Sequence, residues 1–292
     1  MHAFTNSQYL VPGSISELAA ILKSSANPKL LSGGTDLLVQ LHHSSIQVNT
    51  IVDVKKIPEF CQLVLDENGL LIGAAVTCTA LAEFQDIKKK YPGLVEAAEL
   101  IGSVQIQNRS SIGGNLCNGS PSADTTAALI VNEAICTIGS TRGNRDLQVD
   151  EFVLSPGQTA LAQDEFLINI RLPVNGPGTS DAYLRLIPRS EMDIAVAGAA
   201  VKLRMNQDGA CTWARVAISA VAPRPILVAD AAAALVNSNL DENSLKKLQE
   251  AVRAAADPIS DKRGTRDYRL HVVGVLAKRA ALIARDRAME KM

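Results

Sequence analysis

Apolar positions along the first 60 residues switch between two periods. Leu18, Ile21 and Leu22 recur at helical spacing over Glu17 to Lys23, behind a capping serine at Ser14 or Ser16. A short strand, Lys29-Leu-Leu, leads into Ser32-Gly33-Gly34-Thr35-Asp36. Leu37, Leu38 and Leu41 then lie on one helix face, and Val48 to Val54 reads as another strand. This alternation predicts a small β-α-β unit. From Cys61 to Thr79 the pattern is strand, turn, strand, with the turn at Glu67-Asn68-Gly69. Helices are predicted to start at Leu81 and Leu94 and to cover Ala127 to Val131. Strands are predicted over Ile135 to Ser140 and Glu165 to Leu172. The segment Gln105 to Gly119 reads as a polar, glycine-rich loop.

Asn175-Gly-Pro-Gly-Thr-Ser marks a linker, and the pattern changes after it. Ala182 to Leu186, Ala195 to Met205 and Ala214 to Val221 read as three strands. Helical patterns follow over Ala229 to Leu235, Leu245 to Ala255 and Tyr268 to Met289. The expected division is 1–176, with subparts 1–57 and 58–176, and 177–292.

Composition narrows the function classes. The chain has 292 residues, 47% hydrophobic and 20% charged, enough for a large aliphatic core. Net charge is -1, which argues against a nucleic-acid surface. The stretch from Asp241 to Met292 carries 12 basic and 8 acidic residues, a local +4 that reads as a solvated helical surface. No apolar run reaches membrane-spanning length and the opening residues are polar, so a cytoplasmic protein without membrane contact is expected. The five cysteines form no CxxC pair, so no metal or cluster ligation is expected within the chain. The four histidines, His2, His42, His43 and His271, form no nucleophile–base arrangement. Cys117 has no basic neighbour in sequence and reads as a packed thiol.

Two glycine pairs remain. Ser32-Gly-Gly-Thr-Asp36 between a strand and a helix allows either a tight connection or an inward-pointing row of amides that receives an anion. Ser111-Ile-Gly-Gly-Asn115 offers a second pair flanked by a hydroxyl and an amide. Asp124, nine residues on, either caps the helix after it or bonds hydroxyls of a bound molecule. Two such loops suit a cradle for a large dinucleotide, with the cofactor carrying the chemistry.

At these loops the chain resembles the FAD-binding subunits of the molybdenum hydroxylases, the xanthine dehydrogenase group. The resemblance runs through Leu30-Leu-Ser-Gly-Gly-Thr-Asp-Leu-Leu, Leu71-Ile-Gly-Ala, Gln105-Ile-Gln-Asn-Arg and Ser111-Ile-Gly-Gly-Asn. It continues through Pro121-Ser-Ala-Asp, Asp193-Ile-Ala and Ser260-Asp-Lys-Arg-Gly-Thr-Arg-Asp-Tyr-Arg. It implies an α+β fold: a two-part FAD-binding domain of the vanillyl-alcohol-oxidase type, then a three-stranded antiparallel sheet with helices. It also implies that Lys29, Leu30, Leu31, Ser32, Gly33, Gly34, Thr35 and Asp36 wrap the diphosphate and ribityl region. Ser111, Ile112, Gly113, Gly114 and Asn115 would form a second wall, and Asp124 would contact cofactor hydroxyls. Leu167 would pack near a ring system, and Arg185 takes the place of a family lysine. Ser111 stands where relatives more often carry Thr, and Gln107 where they carry Arg. No catalytic residue or metal ligand is implied here. Molybdopterin would sit on a large partner subunit and two [2Fe-2S] clusters on a small one, in a dimer of heterotrimers. Electrons would pass through FAD to NAD⁺. Relatives acting on nicotinate, aldehydes or other heterocycles, other acceptors, and a flavin-binding assembly module without turnover are the alternatives.

Overall fold

A computed structural model describes residues 8–43, 46 and 48–292. The polar opening segment, residues 1–7, lies outside them. The chain begins as the expected small unit: β1 (Gln8–Leu10), α1 (Ile15–Ser24), β2 (Pro28–Leu31), α2 (Leu37–His42) and β3 (Thr50–Asp53). Its sheet is wholly parallel, in the order β1-β3-β2. Ser14, not Ser16, caps α1 by accepting the Glu17 amide at 3.2 Å, and Glu17 accepts the Gly13 amide at 2.8 Å in return. Leu18, Ala19 and Leu22 are the face that α1 buries.

The larger unit contains α3 (Pro58–Cys61), β4 (Leu63–Asp66), β5 (Gly69–Gly73), α4 (Cys78–Glu83), α5 (Gln85–Lys90) and α6 (Pro92–Glu99). It continues with α7 (Val104–Gln107), α8 (Ile112–Cys117), α9 (Asp124–Val131), β6 (Ile135–Ser140) and β7 (Gly143–Gln148). After these come α10 (Val149–Phe152), β8 (Val153–Ser155), β9 (Gln158–Thr159) and β10 (Phe166–Leu172). Five of the strands form an antiparallel sheet, β4-β5-β10-β6-β7, and β8 pairs with β9. The turn at Gly69 is as expected. Its φ is +120°, and a Cβ there would stand 2.1 Å from the Leu172 carbonyl oxygen. Two features differ from the sequence reading. The segment read as one polar loop holds two short helices, α7 and α8, because Ser111 caps the second of them. Strand β7 is polar and exposed, so it carries no apolar alternation to reveal it.

The last part holds β11 (Thr179–Leu186), β12 (Ala197–Met205), β13 (Cys211–Ser219), β14 (Ile226–Leu227), α11 (Ala229–Ala233), α12 (Glu242–Ala255) and α13 (Arg266–Met289). The antiparallel sheet has four strands in sequence order, not three: the two-residue β14 pairs with Ala217 and Ile218. It is too short to show in a hydrophobic pattern. One sheet face, with Val201, Leu203, Val216 and Ile218, is buried with an alanine stripe on α13 (Ala277, Ala280, Ala281, Ala284). Small side chains let that helix approach the sheet closely.

The opposite sheet face meets the larger unit: Tyr183, Ala200 and Ala217 join its apolar core, and polar groups surround them. Asp181 accepts from the Asn132 side chain at 2.7 Å and from the Gly93 amide at 3.2 Å. The Tyr183 amide donates to Glu96 at 3.0 Å, Glu96 also pairs with Arg287, and Arg215 donates to the Ile130 carbonyl at 3.1 Å. A Cβ on Gly93 would lie 2.8 Å from the Asp181 carboxylate, so α6 can come this close only with glycine there. Burial pushes the Asp181 carboxyl up, against its hydrogen bonds and the nearby Lys202 and Lys291 charges. Such a joint loses strongly if one partner is removed, since a buried polar group would be stranded.

Candidate functional site

Strand β2 ends at Leu31, whose carbonyl accepts the Val54 amide at 3.2 Å. The chain then leaves the sheet through Ser32–Asp36. Gly34 has φ +80°, which favours glycine. Gly33 is required for a different reason. A Cβ on it would fall 1.8 Å from the Arg109 carbonyl oxygen, so this turn lies directly against the backbone leading to the second glycine pair. Ser32 Oγ donates to Ser111 Oγ at 2.9 Å and ties the two turns together. Ser111 Oγ also accepts the Gly114 amide at 3.0 Å as the cap of α8.

Between the turns lies a cavity of about 360 Å³, walled by the small unit on one side and by α8, β10 and their neighbours on the other. Of the residues expected at the site, Lys29, Leu30, Ser32, Gly33, Gly34, Thr35, Asp36, Ser111, Gly113, Gly114, Asn115 and Leu167 line it. Leu31 instead joins the small apolar cluster around Leu41, Val48 and Ile51, and Ile112 is fully buried in the main core.

Asp124 and Arg185 do not line the cavity. They meet each other: Arg185 Nη1 donates to Asp124 Oδ2 at 2.6 Å, and the Tyr183 hydroxyl donates to Oδ1 at 2.9 Å. Nor does Asp124 cap the helix. Ala123 takes the cap position, and the Asp124 side chain is drawn into the joint with β11. Burial pushes the Asp124 carboxyl up to about 6, with Arg185 and Tyr183 acting the other way.

The first turn has the chemistry of an anion receiver. Among the described residues, the backbone N–H groups of Gly33, Gly34, Thr35 and Asp36 donate to no protein acceptor. Four successive unpaired donors in a cavity wall suit a phosphate-sized ligand. Lys29 is exposed at the same wall. The remaining walls are aliphatic or polar, and the aromatic rings among the described lining residues are Phe60 and Phe166, stacked with centroids 6.1 Å apart.

Other lining residues fall outside the expected set, Glu165, Cys117 and Gln40 among them. Glu165 receives Arg145 Nε at 2.8 Å and Nη2 at 2.7 Å. Those bonds hold its carboxyl down at about 2, against burial and with help from the Ala162 amide. It stands immediately before β10, and only its closeness in sequence to Leu167 pointed to the site. Cys117 opens onto the cavity rather than packing inside, yet protein encloses its other sides and burial pushes the thiol up to about 12. It stays protonated and is a poor nucleophile. Gln40, from α2, also reaches the wall. His42 and His43 are exposed, as expected. Among the described residues no group of three His, Cys, Asp or Glu side chains is placed to hold a metal, and no helix is long and apolar enough to cross a membrane.

Residues 4–175 match the FAD-binding domain in molybdopterin dehydrogenase, and residues 182–284 match the CO dehydrogenase flavoprotein C-terminal domain. The chain belongs to this family. It is 32% identical to the xanthine dehydrogenase FAD-binding subunit of Escherichia coli O157:H7 over 94% of this chain and 95% of that one. Among solved structures it is similar to carbon monoxide dehydrogenase from Hydrogenophaga pseudoflava, with TM-score 0.92 and 31% identity over 97% of this chain and 98% of that chain. It is similar also to quinoline 2-oxidoreductase from Pseudomonas putida 86, with TM-score 0.90 and 25% identity over 97% and 98% of the two chains. The α+β architecture and the family read from the glycine motifs are therefore both correct, and the chain is an FAD-binding module of a molybdenum-hydroxylase-type oxidoreductase.

Proposed function

We propose that the cavity between the two glycine turns holds FAD with its diphosphate on the N–H row of Gly33 to Asp36, and that the protein is the electron-output subunit of a xanthine dehydrogenase-like complex. The row of four unpaired amides carries this reading. When bound there, flavin supplies the conversion between single electrons and a hydride. Lys29 adds positive charge to the diphosphate end, and Ser111, Gly113, Gly114 and Asn115 form the facing wall. Leu30 and Leu167 supply apolar contact for a ring. Residues 1–176 do the binding, and residues 177–292 brace the larger unit through the Asp181 and Asp124 joints.

Partner subunits carry molybdopterin and two [2Fe-2S] clusters, in a dimer of heterotrimers, and NAD⁺ takes the electrons. The cysteines of this chain are free and scattered, in keeping with clusters held by another chain and with a cytoplasmic location. Purine hydroxylation is supported by the likeness to the Escherichia coli subunit. Substrate choice then rests with the large subunit.

Isolation of the native complex under mild conditions tests the reading. The expected product shows flavin and iron–sulfur absorption, contains molybdenum, and reduces NAD⁺ with xanthine. A chain recovered with flavin but without either partner would remove the trimer. Activity with oxygen but not NAD⁺ would change the acceptor, and turnover of nicotinate or an aldehyde instead of xanthine would change the substrate.

A further inference from the structure

The first glycine turn is held from outside the cavity. Lys55 Nζ donates to the Ser32 carbonyl oxygen at 2.9 Å. Lys55 follows β3, does not line the cavity, and is itself held by Asp53 at 2.7 Å. Asp53 accepts the Lys55 amide at 3.0 Å through the same oxygen and the Tyr9 hydroxyl at 2.5 Å through the other. Burial works to raise the Asp53 carboxyl, but the bonds from Lys55 and Tyr9 outweigh it and keep the group below its usual range. The relay thus runs from β1 through β3 to the glycine turn: Tyr9, Asp53, Lys55, Ser32.

We propose that Lys55 is the positioning residue of the diphosphate site, fixing the Ser32–Gly33 peptide so that the turn presents its amides to the cofactor. This rests on the flavin reading above. In a trans peptide the C=O and N–H point in opposite directions. Turning the Ser32 carbonyl onto Lys55 therefore aims the Gly33 N–H away from Lys55, and Gly33 belongs to the cavity wall. Gly33 on one side of this peptide and Gly34 after it lower the barrier to its rotation, so without an external hold the amide row would sample many directions. Lys55 removes that freedom before the ligand arrives, which is where a binding site gains by being ordered in advance. A charged donor on a carbonyl is a strong form of such a hold. Tyr9 and Asp53 keep the long, flexible lysine in one place.

The experiment titrates the full chain, stripped of flavin, with FAD, ADP and riboflavin, following flavin fluorescence and calorimetric heat. Lys55→Met is expected to weaken FAD and ADP by the same factor, about tenfold, as for loss of one charged hydrogen bond. Riboflavin, which lacks phosphate, should bind as to the unaltered chain. The deficit should persist in high salt, where a simple charge attraction would be screened. Lys55→Arg should recover part of the loss, and Tyr9→Phe should cost about twofold, since it touches only the support. Equal affinity of Lys55→Met and unaltered chain for FAD and ADP overturns the proposal. So does an equal loss for riboflavin, or a deficit that vanishes in salt. If Lys55→Met does not fold, Asp53→Asn, which leaves the lysine but frees it, carries the same three-ligand comparison. Failure of the unaltered chain to take up FAD would instead end the flavin reading, and the ADP arm would still judge Lys55.

Discussion

The two glycine turns look alike in sequence and are built differently. The second is the first turn of a helix: Ser111 caps α8, Gly114 bonds to that cap, and the Ile112 amide is used by the Val76 carbonyl at 3.1 Å. The first has no such closure. Asp36 stands at the cap position of α2 without a capping bond, four amides are left open, and the turn is held by groups outside it, Ser111 and Lys55. Paired glycines therefore serve close packing in both turns, at Gly33 and at Gly113, and in the first they also leave a row of open donors. A turn that must meet an anion leaves its own amides unsatisfied and draws its rigidity from its neighbours.

Substitution of single glycines should separate these roles. Gly33→Ala is expected to have the largest effect, because its Cβ meets backbone at 1.8 Å and backbone cannot step aside. The two turns must part, and overpacking of this kind costs about 3 kcal/mol. FAD affinity should drop more than a hundredfold by fluorescence titration, and urea unfolding should shift to lower concentration. Unchanged unfolding would mean that the two turns are not locked together. Gly114→Ala should act on binding alone. Its Cβ meets only the Ser111 side-chain oxygen, at 2.8 Å, and otherwise faces open space at the cavity wall. Alanine also favours the helix by about 1 kcal/mol, offsetting the crowding. Near-equal unfolding with a roughly tenfold loss of FAD is expected. A large fall in stability would break the contrast.

Ser111→Ala tests the link. The variant loses the α8 cap and the acceptor for Ser32 Oγ, and should lower stability by about 1 kcal/mol in urea unfolding. The same change should loosen the first turn through Ser32, so FAD affinity should fall by roughly fivefold. Loss of stability without any effect on binding would show that the Ser32–Ser111 bond is incidental.

Local signals carried the sequence reading furthest where function is local. The glycine pairs, the strand before the first and the helix after it were all legible because turn chemistry is written within a few residues. Leu167, expected from the motif, lines the cavity. The sequence could not show why Asp124 does not cap its helix: its partners, Tyr183 and Arg185, stand 59 and 61 positions away, and a buried arginine outcompetes a helix cap for a carboxylate. The Asp181 joint and the Tyr9–Asp53–Lys55 support were invisible for the same reason. Each needs two strands or helices brought together before the pairing exists. Strand β7 and the two-residue β14 escaped because the first buries little and the second is too short to show a period.

The smallest expected effect separates the turns by pH. Asp53→Asn removes the charge that steadies Lys55, and Lys55 is about a third exposed, so the loss should be only about 0.5 kcal/mol at neutral pH. Asp53 sits below its ordinary value of 3.8 in the folded chain. Its contribution to stability is therefore complete above that value and is lost as pH falls through the folded one. Thermal unfolding of Asp53→Asn and unaltered chain should differ at neutral pH and converge in acid. The Ser111 bonds involve no titratable group, so the Ser111→Ala deficit should hold its size over the same range. A Ser111→Ala deficit that also faded in acid, or an Asp53→Asn deficit that did not, would mean that the two turns are not supported by different means.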